Sequence, residues 1–545
     1  MRNVVDTSKH LRAVQELAQH AHPHAVQAAW LLLRYSAGTR CQHLLRMLRP
    51  ALLDRAARAF DSEVRRCFAA LLSPRALPSC VLRDAVAQAM LPVKEGGMAL
   101  EQIHRRRHAA YVAAWADCAR FAHEWPRVFP GLALALAQVA VASEPCLSAL
   151  RSSWGQLAQE LPRAPGADSV ELRELGLAAL LGEHVRGLTT LGLADRRSQR
   201  RISQAQWRAH IAAEWTEGRG GDAETRRRAC GGREAAWVVA IPSRPLYRLD
   251  GREWRDAVAF RLGVPVPSLA RAGGGLCECH EAFARRSAEL AQDPRSTGGR
   301  RGVAAGRRGD AAPRRRRRVC PPPVDARAEH DQRCKFANPL TRHNFVQHVL
   351  QRKAREAGVE VRRATVWELR APGAGDRSQK QADLLVTGWE GVARDTLLDV
   401  GVTHSTTASA RTRPSTDTSS HNSQSWVGHA RAADGYAGRK EKGYVKVIRE
   451  KRLALSYCSF VVETYGAFGK DAWHVIDSLC HPSTHPLFEG DFNAWSNPDP
   501  KRDFMLSIAF AIQRGNVRML QRCASRRACN RSLGAYSSRL PLVGA

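Results

Sequence analysis

The chain has 545 residues, 44% of them hydrophobic, which is enough for several domains with sizeable cores. Lys and Arg number 84 against 52 Asp and Glu, a formal net charge of +32. This excess argues against an ordinary metabolic enzyme and favours a polyanionic partner, most simply nucleic acid. The 14 Cys are scattered from Cys41 to Cys529, which excludes a dense secreted disulfide framework and predicts a reducing compartment.

The N-terminus and the apolar runs predict an intracellular protein without a membrane partner. Residues 1–10 are polar and charged, with no apolar core of a signal peptide. The longest apolar run, residues 131–142, is too short to span a bilayer and contains Gln138.

The first half of the chain is predicted to be helical. Residues 54–72 place apolar side chains such as Phe60 and Phe68 on one helix face, and residues 101–121 carry a second stripe. Core packing explains both stripes. We expect a helical segment over 1–150 and helices with linkers over 151–265, including a helix around 253–262 that Gly263 and Pro265 end.

Residues 266–344 combine possible metal ligands with an Arg-rich insert over 281–329. Within it, residues 285–318 hold 12 Arg and three acidic residues, a composition that cannot bury a core and predicts disorder. A solvated insert is one interpretation. Nuclear localisation or nonspecific contact with phosphates is the functional one.

Two Cys/His pairs flank this insert. Cys277 and Cys279 form one pair, and His330 and Cys334 form the other. Together they offer a ligand set that suits a closed structural zinc site. The spacer between the pairs is long, but loop closure costs only a logarithmic term, so one Zn²⁺ site remains feasible. His280 and Cys320 compete as ligands, and isolated thiols are the alternative.

From about residue 345 the pattern becomes α/β. A helical stripe over 345–357 precedes predicted strands over 359–369, 383–386 and 396–402. A basic helix over 432–455, a strand over 457–464 and a helix over 471–479 complete a predicted domain over 345–480. An apolar helix over 504–520 belongs to a C-terminal helical tail, 481–545.

Two acidic residues and two lysines of this region suit phosphodiester hydrolysis. Asp383 begins one strand and Asp399 lies in the next, so a hairpin can bring both carboxylates to one end of a sheet, where they can hold Mg²⁺ or Mn²⁺. The basic helix offers Lys440 or Lys442 as the cation beside the developing negative charge. The structural alternative is a strand-end carboxylate and a solvated helix face.

A series of motifs in fixed order resembles the region downstream of the polymerase in non-LTR retrotransposons that carry a restriction-like endonuclease. The motifs lie at residues 91–100, 106–111, 237–242, 261–265, 277–279, 330–344, 382–386, 398–403 and 460–466. The resemblance covers about residues 5–480. It implies a multidomain chain: an α-helical N-terminal half with thumb-like helices, a small zinc knuckle, and a C-terminal α/β nuclease of the PD-(D/E)XK type.

The same resemblance implies a function in which the nuclease nicks target DNA so that the 3′ end primes reverse transcription. By position, Asp383 and Asp399 resemble the two acidic residues that hold Mg²⁺. Lys440 or Lys442, with Tyr444, resembles the Lys/Tyr helix, and Lys440 is preferred because it stands one helical turn before Tyr444. Cys277, Cys279, His330 and Cys334 resemble the zinc ligands. DNA, and possibly the element's RNA, are the implied partners, and the nucleus is the implied compartment.

The chain departs from the family pattern at several points. Ala382 replaces the usual Pro, and Gly401 stands two residues after Asp399, where a restriction enzyme has its Lys. The Lys must therefore come from the helix. A Tyr/Phe-Ala-Asp-Asp polymerase signature is not found, so no polymerase activity is expected. Translated intron or frame-shifted sequence is one explanation of the Arg-rich insert.

Two functions follow as hypotheses. The first is a retroelement-derived, metal-dependent DNA endonuclease fragment. The second is a nucleic-acid-binding remnant that has lost its catalytic geometry. A purely structural interaction protein is disfavoured by the order of the motifs.

Overall fold

The structure is a computed structural model. It describes residues 2–73, 77–100, 102–125, 127–128, 143–160, 177, 198–211, 226–272, 332, 337–365, 382–387, 389, 394–405, 430–481 and 499–537. Over these residues the chain is mostly helical, with one four-stranded mixed sheet. Among them, no helix is both long and apolar enough to cross a membrane.

Before the sheet, the described residues form mainly helices. They are α1 (Arg2–Gln19), α2 (Ala25–Leu32), α3 (Gln42–Met47), α4 (Pro50–Leu72), α5 (Ser79–Met90), α6 (Ile103–Glu124), α7 (Pro145–Glu160), α8 (Ser198–Ile211), α9 (Gly251–Leu262) and α10 (Pro267–Ala272). A π-helical turn over Leu33–Ala37 and 3₁₀ turns over Val93–Glu95, Arg233–Val239 and Pro245–Tyr247 lie between them. The predicted helices over 54–72, 101–121 and 253–262 are thus present, with slightly different bounds.

The apolar stripe of α4 enters the main helical core, as predicted. The ring of Phe68 lies 5.7 Å from that of Trp30, which lies 6.1 Å from that of Trp254 on α9. The indole Nε1 of Trp30 donates a hydrogen bond to the Val238 carbonyl over 2.6 Å. The buried indole therefore has a partner for its polar atom, and the core joins helices that are distant in sequence.

Helix α9 shows how local sequence sets its ends. The Asp250 carboxylate accepts hydrogen bonds from the amides of Arg252 and Glu253, and the Glu253 carboxylate accepts one from the Asp250 amide, which forms a capping box. Gly263 ends the helix with a left-handed backbone, φ +65°.

The remaining elements form the α/β part. They are α11 (Leu340–Glu356), β1 (Glu360–Arg363), β2 (Leu384–Thr387), β3 (Asp395–Thr403), α12 (Arg431–Glu450), β4 (Leu455–Glu463), α13 (Lys470–Leu479) and α14 (Pro500–Ser537). The strands are ordered β1-β2-β3-β4. The β1–β2 and β2–β3 pairs are antiparallel, and β3–β4 is parallel because α12 connects the two strands as a crossover helix.

The two faces of the sheet are covered by different helices. Val400 and Phe460 belong to an apolar cluster with side chains of α11, α13 and α14. Leu397 clusters with Tyr444 of α12, and Val461 clusters with Ala437 of the same helix. Since side chains alternate along a strand, the odd-numbered residues of β3 and β4 face α12.

Helix α14, which contains the predicted helix over 504–520, lies between the two halves. Phe510 stacks on Tyr247 of the helical part at a centroid distance of 5.1 Å, and Phe504 stacks on Phe460 of the sheet at 6.4 Å. A helix that is apolar on both sides is expected to be enclosed by protein. Here it joins the helical core to the sheet.

Candidate active site

The two predicted acidic residues lie side by side at the strand pair β2–β3. The register places Leu384 opposite Leu398, so Asp383, one residue before β2, stands opposite Asp399. Directly opposed side chains on an antiparallel pair point to the same face, here the one that α12 covers. The carboxyl groups of Asp383 and Asp399 are within hydrogen-bonding reach of each other. The predicted hairpin therefore brings both acids together.

Of the two predicted lysines, the structure brings Lys440 to this pair. Its Nζ lies 2.5 Å from Asp399 Oδ2 and donates a hydrogen bond to the Val400 carbonyl over 3.1 Å. Lys442 is exposed. Two residues advance a helix by about 200°, so Lys442 lies on the opposite side of α12 from the acids.

Two stacked tyrosines line the Asp399 side of the site. The rings of Tyr444 and Tyr457 stack at a centroid distance of 4.7 Å. The Tyr457 hydroxyl lies 3.5 Å from Asp399 Oδ2, and the Tyr444 hydroxyl also hydrogen-bonds Asp399. Burial and the neighbouring carboxylates raise the pKa of both phenols, so both hydroxyls stay protonated and can donate.

A histidine and a glutamine of α11 hold the other acid. His343 Nε2 lies 3.0 Å from Asp383 Oδ2, and the Val400 amide donates to the same oxygen over 2.7 Å. The amide of Gln347 donates to the Asp383 carbonyl over 3.2 Å. These contacts fix both the backbone and the side chain of Asp383.

The two carboxyl groups differ in their ionisation. Burial would raise the pKa of Asp383, but the hydrogen bond and charge of His343 and the Val400 amide outweigh it and lower that pKa. Burial raises the pKa of Asp399 to about 6, opposed by Lys440 and assisted by the Asp383 charge. One lowered and one raised pKa are typical of two adjacent carboxyl groups, because the charge on one disfavours ionisation of the other.

The donor set is compatible with one hard divalent cation. Asp383 and Asp399 are both oxygen ligands, and Mg²⁺ binds proteins through one or two carboxylates while water and substrate phosphates supply its other ligands. A divalent cation would also offset the burial and the Asp383 charge that raise the pKa of Asp399. Within the described ranges, no group of three or more His, Cys, Asp or Glu side chains is arranged to hold a metal ion.

Two predicted features lie outside the described residues: the Arg-rich insert over 281–329, and the zinc ligands that flank it, Cys277, Cys279, His330 and Cys334. The described residues do include Gln332. Its Oε1 accepts a hydrogen bond from Arg342 over 2.6 Å, and its Nε2 donates to the Asn516 carbonyl over 3.3 Å.

Sequence reasoning did not assign roles to His343, Gln347 or Tyr457. His343 lies in the 342–344 part of the motif 330–344, a part that contributes only to the resemblance. Tyr457 lies in β4, and its partner Asp399 is 58 residues away. The amphipathic spacing of α11, which buries Gln347 beside Val346, is the signal that could have pointed to this face of the helix.

Comparison with known proteins identifies no relative from which a function of this site could be taken. No known protein-family model matches the chain, and no curated protein matches it.

Proposed function

We propose that this chain is a divalent-cation-dependent phosphodiesterase that nicks DNA, derived from a non-LTR retroelement. The observation that carries the proposal is the triad of Asp383, Asp399 and Lys440: two opposed carboxyl groups with an ammonium 2.5 Å from one of them. Paired carboxylates and a lysine are the donor and cation types that hydrolysis of a phosphodiester requires.

The charge distribution supports a nucleic acid as the substrate. Besides the net charge of +32, α12 carries a basic outer face opposite the triad. The exposed residues Lys442, Lys446 and Arg449 recur at helical spacing along this face, and Glu450 pairs with Lys446 over 3.7 Å. Such a stripe favours contact with a phosphate backbone and makes binding salt-dependent.

Each residue of the site has a distinct role in the proposed reaction. Asp383 and Asp399 would hold the cation, which, when bound, lowers the pKa of a water molecule and neutralises charge on the scissile phosphate. The Lys440 ammonium lies where it can stabilise negative charge that develops on the phosphate. His343 orients Asp383, and the hydroxyls of Tyr444 and Tyr457 orient Asp399.

The proposal is tested by nicking of supercoiled plasmid in Mg²⁺ or Mn²⁺. Asp399→Asn should lower the nicking rate by at least about 100-fold while DNA affinity stays similar, because the carboxylate acts in the transition state. Asp395→Asn, at the start of the same strand, is the matched control and should nick like the wild type. Equal rates for the two variants would remove Asp399 from the mechanism.

A lysine pair offers a second matched comparison. Lys440→Ala should cost far more nicking than Lys442→Ala, since Lys440 contacts Asp399 and Lys442 is exposed on the other side of the helix. If both variants lose activity equally, general charge rather than the triad explains the effect.

One observation favours the second function, a nucleic-acid-binding remnant without catalysis. The Lys440 ammonium already neutralises the Asp399 carboxylate and also occupies the Val400 carbonyl, so it competes with a divalent cation for the same oxygens. Salt-dependent DNA binding without nicking in either metal would select this function.

A further inference from the structure

Gly401 leaves the space into which an aromatic ring of α12 fits. Asp399 and Gly401 are two residues apart on β3 and face the same helix. A Cβ atom on Gly401 would lie 2.8 Å from Cε1 of Tyr436, closer than real Cβ contacts come, and 3.1 Å from Cδ1, tighter than most of them. It would also lie 3.2 Å from Val461 on β4. The missing side chain at Gly401 therefore lets the Tyr436 ring approach β3 closely.

Tyr436 stands one helical turn before Lys440, and the two side chains are in contact. The Lys440 Nζ lies 5.2 Å from the centre of the Tyr436 ring, within the range of a cation–π interaction. The guanidinium of Arg439 lies 5.7 Å from the same ring. The ring thus forms one wall of the space in which the ammonium meets Asp399.

The start of α12 is fixed independently. Its N-terminal residue Arg431 follows Ala430, which provides no side-chain cap. Instead the buried Glu463 carboxyl, at the end of β4, accepts hydrogen bonds from the amides of Ala432 and Ala433. This cap and the Gly401–Tyr436 contact hold two points of the helix against the sheet. These two contacts set the position and rotation of α12 against the sheet, and therefore where Lys440 lies.

We infer that Gly401 and Tyr436 are positioning residues that fix Lys440 beside Asp399. Tyr436 fills the space that a side chain at position 401 would need, so the strand cannot supply its own cation there and the helix supplies Lys440 instead. As a role in catalysis, this inference rests on the proposed function. As a statement about where Lys440 is held, it can be tested without activity.

The first test measures how fast Lys440 reacts with acetic anhydride, by mass spectrometry of the modified peptides. In the wild type Lys440 should react slowly, because its ammonium is held by Asp399 and Val400, whereas the exposed Lys442 should react fast. Gly401→Ala and Tyr436→Ala should each raise the Lys440 rate several-fold and leave the Lys442 rate unchanged. An unchanged Lys440 rate in Tyr436→Ala overturns the inference.

The matched control is Gly438→Ala on the same helix. A Cβ at Gly438 meets no atom within 4 Å, so this substitution adds the same methyl group without a clash and should leave the Lys440 rate as in the wild type. If Gly401→Ala fails to fold by circular dichroism, Tyr436→Ala carries the test, since it removes a ring and introduces no clash.

The second test uses nicking. Tyr436→Ala should lower the nicking rate by roughly 100-fold, the effect of misplacing a reacting group by about 1 Å, with little change in the plasmid concentration needed for half-maximal rate. Tyr436→Phe keeps the ring and should restore the rate lost in Tyr436→Ala. A Phe variant as slow as the Ala variant contradicts positioning by the ring.

The two failures can be told apart. If the wild type does not nick DNA, the proposed function fails, and the acetylation rates alone decide whether Gly401 and Tyr436 hold Lys440. If the wild type nicks and Tyr436→Ala nicks equally well, the proposed function stands and the positioning role is wrong.

Discussion

The Asp503 carboxylate connects the start of α14 with α11 and with the segment that holds Arg244 and Tyr247. Removing it should weaken the packing between these segments. It is buried near the start of α14, where it forms an ion pair with the buried Lys353 of α11 and another with Arg244 over 2.9 Å. Tyr247 of the helical part donates its hydroxyl hydrogen bond to the same carboxylate. Asp503→Ala removes all three contacts at the junction between the helical core and the sheet.

The expected cost follows from what each partner loses. Arg244 is 41% exposed and can be hydrated, so its loss counts for little. The buried Tyr247 hydroxyl loses the carboxylate but still reaches the backbone carbonyl of residue 503 at 3.2 Å, so this loss costs about 1 kcal/mol. Lys353 keeps only the half-exposed Glu356, 2.5 Å away, so the total should be about 3 kcal/mol, near the lower limit for a broken buried pair. Asp503→Asn keeps an acceptor for Tyr247 and should cost less.

Hydrogen exchange of the backbone amides over 504–512 is a suitable assay, because it reports local opening without assuming two-state unfolding. A loss of about 3 kcal/mol corresponds to roughly 100-fold faster exchange in Asp503→Ala. Glu450→Gln breaks the exposed pair with Lys446 and should change exchange of the same amides by less than about twofold. If exchange in Asp503→Ala matches that control, the cluster does not hold α14 in place.

Three further predictions concern pH, zinc and salt. Burial raises the pKa of Glu463 from 4.5 to about 7, so the folded chain keeps a proton that the unfolded chain releases, and stability should fall as the pH rises towards 7. Between about pH 5.5 and 7.5 the wild type should lose roughly 2 kcal/mol more than Glu463→Gln, as urea unfolding at both pH values would show, because the raised pKa of Asp399 adds the same loss to both proteins. Equal losses in the two proteins would contradict this. Purified protein should hold about one zinc per chain by elemental analysis, and Cys334→Ser should release it; a retained stoichiometry excludes this ligand. Replacing Lys442 and Lys446 by Glu should flatten the plot of log DNA affinity against log salt concentration. An unchanged slope would show that DNA does not contact this face of α12.

The elements that the sequence predicts well are those whose signals are local. The stripe of α4 and the capping box of α9 each lie within one helix, so periodicity and cap residues are sufficient to find them. The opposition of Asp383 and Asp399 also follows from a short-range feature, since an antiparallel pairing of two neighbouring strands was expected from the turn-rich segment between them.

Contacts between distant segments could not be predicted in the same way. His343 meets Asp383 across 40 residues, and the ion pair of Lys353 with Asp503 spans 150. The apolar composition of α14 indicates burial, but no local pattern states that Phe510 faces one core and Phe504 another. Such pairings depend on how the helices pack, which composition and periodicity do not determine.

The choice between Lys440 and Lys442, in contrast, was within reach of the sequence. Ala433, Ala437 and Tyr444 are small or aromatic residues of α12 that recur at intervals of four and seven. This spacing defines one helix face, and Lys440 falls on it, whereas Lys442 falls among the charged residues of the opposite face. A lysine on the packed face of an amphipathic helix must find a partner for its charge, because burying it unpaired is costly. In the structure that partner is Asp399. The helical spacing of α12 and the cost of burying an unpaired charge therefore both indicate Lys440 as the lysine that pairs with the acidic residues.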